Sequence, residues 1–174
     1  MLQQEFMSAV PRELDEFLAR FGFSPAGQFA ARVSYSDGHR LVSLAYWPEE
    51  ASPWLEIDVG IVSLAGDLGI VGLWRVLSAG CAGYEPSDWR FNSSDELLAL
   101  LSRFKQELWV QCLLPALSDT AGIESALHAQ RLQVESDARE AAIRQAIVIA
   151  RQYLARGDVA RAAEHFALVP SDRI

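Results

Sequence analysis

Residues 40–62 read RLVSLAYWPEEASPWLEIDVGIV, two apolar runs joined by a proline-bounded turn. In the second run Leu55, Ile57, Val59 and Ile61 alternate with Trp54, Glu56 and Asp58. Successive side chains of a strand point to opposite faces, so the aliphatics share one face and the other three share the opposite one. The same period sets Ser43, Ala45 and Trp47 on the polar side of the first run. If the turn Pro48-Glu49-Glu50-Ala51-Ser52-Pro53 holds the two runs in register, Trp47 and Trp54 flank it beside Glu56 and Asp58.

Immediately upstream, residues 29–36 form a third run rich in strand-forming types, and Ser36-Asp37-Gly38-His39 carries the Asp-Gly signal of a tight hairpin. The three runs, about 29–36, 40–47 and 54–62, predict an antiparallel meander. Before them, PRELDEFLARF at 11–21 places Leu14, Phe17, Leu18 and Phe21 on one helical stripe. Pro11 suits a first turn, and Gly22 stops the helix.

After Val62 the apolar period changes from two to nearly four. Residues 68–79 predict an apolar helix around Trp74, closed by Gly80-Cys81-Ala82-Gly83, and a loop through Tyr84, Pro86 and Trp89 follows. Asn92-Ser93-Ser94-Asp95-Glu96 offers a side-chain cap for a helix that Pro115 should kink or end. The long region 123–157 is polar on nearly every side between His128 and Glu140, and the Asp137/Glu140 pair predicts a fresh helix start there. Ile143, Ala146, Ile147, Ala150 and Leu154 then line one face, and Gly157-Asp158 turns the chain into a short helix holding Ala162, Ala163 and Phe166. The whole predicts an α+β fold in one domain over 1–174: an N-terminal helix, a three-stranded meander at about 29–62 and a helical half at about 68–168.

Composition narrows the function classes. A chain of 174 residues with 51% hydrophobic and 22% charged residues has the makeup of an ordinary globular protein. Met1-Leu2-Gln3-Gln4-Glu5 carries no basic leader region and no apolar run approaches bilayer length, so a soluble cytoplasmic protein with no membrane contact is expected. Cys81 and Cys112 lack metal or redox spacing and read as reduced structural thiols. Of the formal net charge of −8, residues 45–100 account for seven units, with nine acids and two bases. Such a field repels nucleic acid, whose binding needs Lys and Arg on phosphates, and suits a basic protein partner.

No motif for catalysis or for a cofactor emerges. Glu56 and Asp58 share a face but have no histidine, nucleophile or third acid beside them in sequence. His39, His128 and His165 show no metal spacing. The stretch SLAGDLGIVG at 63–72 lacks the Lys-Ser or Lys-Thr ending of a phosphate loop. The expectation is therefore a non-enzyme with no metal and no cofactor. Its best candidate working surface is the acidic aromatic face, Trp47, Glu49, Glu50, Trp54, Glu56 and Asp58, since aromatic anchors tend to dominate binding energy.

Two resemblances add to this reading. Ala150, Tyr153, Ala162 and Phe166 stand where tetratricopeptide units pack small and aromatic residues, so the hairpin at 143–169 resembles one such unit and implies a protein contact there. The order FLARFGFSP, then VSYSDGHRLVSLAYWPEEASPWLEIDVGIV, then helices, resembles in layout the small bacterial immunity-type proteins that accompany polymorphic toxins. That resemblance spans about 12–115 and implies tight, non-catalytic inhibition of a basic toxin. An adaptor that uses the C-terminal hairpin, and a small enzyme or ligand carrier with an unrecognised pocket, stay open beside it.

Overall fold

The computed structural model describes residues 2–48, 53–62, 67–77 and 89–170. The described chain combines helices with one five-stranded antiparallel sheet, an α+β arrangement. It divides into two compact units, residues 1–127 and residues 128–174.

In the first unit, strands β1 (Ser24–Phe29), β2 (Arg32–Ser36), β3 (Arg40–Trp47), β4 (Trp54–Val62) and β5 (Leu68–Gly72) lie side by side in chain order. The expected meander is therefore its centre, and the strand count is corrected from three to five. β1 escapes the sequence pattern because SPAGQF is exposed at every position and holds a proline and a glycine, types that a sheet tolerates at an edge. β5 was expected to be the start of a helix. Instead LGIVG pairs with β4, Val71 opposite Val59 and Ile70 opposite Gly60, and among the described residues of 68–79 the helical ones are Leu73–Val76 (α2). Glycine makes that pairing possible, since a Cβ at Gly60 would stand 2.7 Å from the carbonyl oxygen of Gly69.

The N-terminal helix α1 spans Leu2–Ala19 and runs through Pro11, where a start near residue 11 was expected. Phe6, Val10, Leu14 and Leu18 form a fully buried stripe along it. Burying four large side chains at ~1.5–3 kcal/mol each outweighs the ~3 kcal/mol that an interior proline costs. α1 packs on α3 (Ser94–Arg103) and on β1 and β2. The core joins that stripe to Val33, Tyr35, Val42, Leu44, Leu55, Ile57, Val59 and Val71 from the sheet and to Leu97, Leu101, Phe104 and Trp109. The predicted inward aliphatics of β4 thus do face the core.

Ser93 caps α3 as expected, its Oγ accepting the Glu96 N–H at 3.2 Å. Pro115 does not stop the chain that follows. Phe104–Leu113 takes π-helical turns and Leu114–Ser118 (α4) continues past the proline. Wider turns immediately before a residue that cannot donate let the rod go on despite the missing bond. Cys112 on this segment is buried and disulfide-bonded, which corrects the expected reduced thiol. Spacing along the chain reveals metal and redox motifs but not which sulfurs a fold brings together. Cys81 lies outside the described residues.

Helix α5 spans Ala121–Ala155 without a break, so the expected fresh start at Asp137 is absent. The Asp137 carboxylate accepts from the Gln133 side-chain amide, one turn back, rather than from backbone amides. With neither glycine nor proline between 123 and 156, nothing in the chain interrupts propagation. Gly157, with φ +79°, ends α5, and the Asp158 side chain caps α6 (Val159–Phe166) by accepting the Arg161 N–H. Within this unit Ala146, Ala150 and Ala162 are buried, and the Tyr153 ring stacks on His165.

Candidate functional site: the outer face of the sheet

The strand ladder places the candidate residues in rows. Trp47 pairs with Trp54, Ala45 with Glu56 and Ser43 with Asp58, as the hairpin reading expected. Extended to the neighbouring strands, the middle row becomes Phe29, Arg32, Ala45 and Glu56, and the next becomes Ser34, Ser43, Asp58 and Gly72. All of these lie on the face opposite the core.

This face is not an open acidic surface. Asp58 is only 6% exposed and Ser43 is fully buried. The Arg32 guanidinium reaches across β3 to donate to Asp58 Oδ2 and, at 3.1 Å, to Ser43 Oγ, while Ser34 and Ser43 share a 3.0 Å hydrogen bond. Buried polar groups are stable only when they are paired in this way. Arg32 Nη2 also stands 4.0 Å from Glu56 Oε2. Trp74 of α2 closes one side, its indole nitrogen packed so tightly over Gly72 that a Cβ there would approach it to 2.8 Å.

Glu56 is the electrostatically distinct member. Burial, and then the neighbouring Asp58 carboxylate, push it above the ordinary glutamate value, against the opposing pull of the Trp47 indole N–H and of Arg32. The Trp47 Nε1–H donates to Glu56 Oε2 and so fixes the orientation of a ring that remains 47% exposed. Trp54 is half-buried at the same end of the hairpin, in an isolated bridge to Arg90. Glu49 and Glu50 lie outside the described residues. Chemically the patch offers a rigid aromatic anchor, a carboxylate with one side chain hydrogen-bonded to it, and an arginine already committed to its acid. A split pair of carboxylates can serve acid–base chemistry, and the two hydroxyls in this network, Ser34 and Ser43, are bonded to each other, with Ser43 also accepting from Arg32.

The sequence pattern set Ser43 on this face but did not mark it as a site residue, and it gave no site role to Arg32, Trp74 or Phe29, the last 85% exposed beside Arg32. Arg32 was within reach, because a tight hairpin over Asp37-Gly38 that pairs Ser36 with Leu41 sets Ser34 opposite Ser43 and Arg32 opposite Ala45. Trp74 was not, since its segment read as a longer helix. Among the described residues no group of three metal-binding side chains comes together. No described helix is long and apolar enough to cross a membrane. An open hollow is lined by Gln3, Gln4, Met7, Ser8 and Ala30, the last adjoining Phe29 in the chain. In comparisons with protein-family models, curated proteins and solved structures, no match to the chain was found.

Proposed function

We propose that the protein is a non-catalytic binding domain that engages a basic protein partner through the outer sheet face, with Trp47 as its anchor. The observation that carries this reading is the half-exposed Trp47 ring, held in one orientation by its bond to Glu56 on a two-strand ladder. A preoriented aromatic loses little conformational freedom on binding and offers a large contact area. Glu56 beside it supplies negative charge that a partner's lysine or arginine would relieve, and the acid excess of residues 45–100 supports steering of a cationic surface. The same excess disfavours nucleic acid as the ligand.

The finer reading, an immunity-type inhibitor that blocks a basic toxin, rests on that surface and on the layout of the chain. Asp58 belongs to the scaffold of the site, because reversing its charge would strand Arg32 inside the network. The test therefore uses Trp47→Ala and Glu56→Lys. A photo-reactive group placed at Phe29 should cross-link a basic protein in the native lysate, and both substitutions should abolish the adduct while the far-ultraviolet circular dichroism stays unchanged. An adduct formed equally by wild type and Trp47→Ala, or one with an acidic protein, would remove the proposal. Co-expression of a captured toxin with wild-type protein and with Trp47→Ala then separates inhibition from mere binding.

A further inference from the structure

The second unit carries a helical stretch with almost no tertiary packing. From His128 to Arg139 of α5 every side chain except that of Gln130 is exposed. Most helical stability in proteins comes from packing one apolar face, so a bare stretch of this length is unusual. Four exposed apolar residues, Val134, Ala138, Ala141 and Val148, lie on one line with the exposed Gln145, at intervals of four, three, four and three, while the exposed Leu132 lies off that line. That is the 3.5-residue period of a helix seam that faces another helix. Val134 is 61% exposed and Val148 53%. Ala146 and Ala150, which are buried, lie well away from this seam around the helix.

The charges indicate what covers the seam. Glu135, Asp137 and Glu140 precede Ala141, together with Arg131 and Arg139, whereas every charge from there to the end of the helix, Arg144 and Arg151, is positive. A parallel second copy would set Asp137 beside Ala142 and Arg144 beside Ile149 of the other chain, with no opposite charges paired. An antiparallel copy instead sets Asp137 beside Arg144 on both sides of the two-fold axis. In that register Ala138 faces Ala141 of the other chain, and these two small residues let the helices approach closely at the centre. Val134 and Val148 then cover the outer layers, packing on the stems of Gln145 and Arg131.

We propose that the α5 seam Val134, Ala138, Ala141 and Val148 pairs antiparallel with the same seam of a second copy of this chain, its register set by reciprocal Asp137–Arg144 contacts. The inference stands apart from the sheet-face reading, since it uses only residues of the second unit.

Sedimentation velocity of the intact protein over a concentration series tests it. Wild type should sediment as a dimer. Ala141→Arg puts bulk and like charge at the centre of the seam and should raise the dimer dissociation constant by at least roughly a hundredfold. The substituted site is exposed and arginine is a good helix former, so helicity should not change. Asp137→Arg and Arg144→Asp alone should each weaken the dimer by about tenfold, and the two together should restore it, because the reciprocal contacts are exchanged rather than lost. A wild type that stays monomeric throughout, a dimer that survives Ala141→Arg, or a double exchange that does not recover would each overturn the proposal.

Discussion

Along β4 the side chains alternate between two environments. Leu55, Ile57 and Val59 are fully buried against the helical layer, while on the opposite face Asp58 and Ser43 are buried and Glu56 partly so, bonded to Arg32, Ser34 and Trp47 at its edge. The inner face is held by apolar burial, which is non-directional and tolerates repacking. The outer face is held by directional bonds, each of which satisfies a group that would otherwise be stranded. The two faces therefore differ in tolerance: the inner face resists polarity, and the outer face resists loss of a single partner.

The largest effect should come from introducing polarity on the inner face. Ile57→Asp places an unpaired carboxylate where no donor waits and should cost more than about 4 kcal/mol, enough to unfold the first unit. A soluble variant that melts cooperatively near the wild-type temperature would show that the inner face is not the core.

Breaking the outer network should cost less but reveal its logic. Arg32→Met leaves Asp58 buried without its cation. Because Arg32 is itself about one-third exposed, the expected loss is about 2 kcal/mol rather than the larger figure for a fully buried pair. Adding Asp58→Asn to Arg32→Met should recover part of that loss in denaturant melts. If the two changes simply add, the ion pair does not organise this face.

The smallest effect concerns protonation of Glu56. Its value in the folded state lies above the ordinary one, so its favourable contribution is complete at acid pH and is lost as pH rises through the folded value. Glu56→Gln should then match wild type near roughly pH 4 and become relatively more stable toward pH 7, by less than the Arg32 loss. Thermal melts across that range check the sign, and a difference that does not vary with pH would place Glu56 in a solvated setting.

Much of this contrast was legible in the chain. The period-two alternation around Ile57, the Asp-Gly turn and the two tryptophans bounding the second turn determined three adjacent strands, their register and which side chains share a face, because these follow from local geometry. The Ser93 cap and the Gly157 stop are local too. The edge strand over SPAGQF, the strand over LGIVG and the passage of α1 through Pro11 came only from tertiary structure, where partner strands and core burial override weak or contrary local preference. The same holds for the site: sequence set Glu56 and Asp58 on one face, but it took the folded sheet to lay Arg32 across β3 onto Asp58 and to turn Trp47 onto Glu56. Charge balance along a chain is additive and can be read directly, whereas burial and pairing depend on which distant residues arrive at the same place.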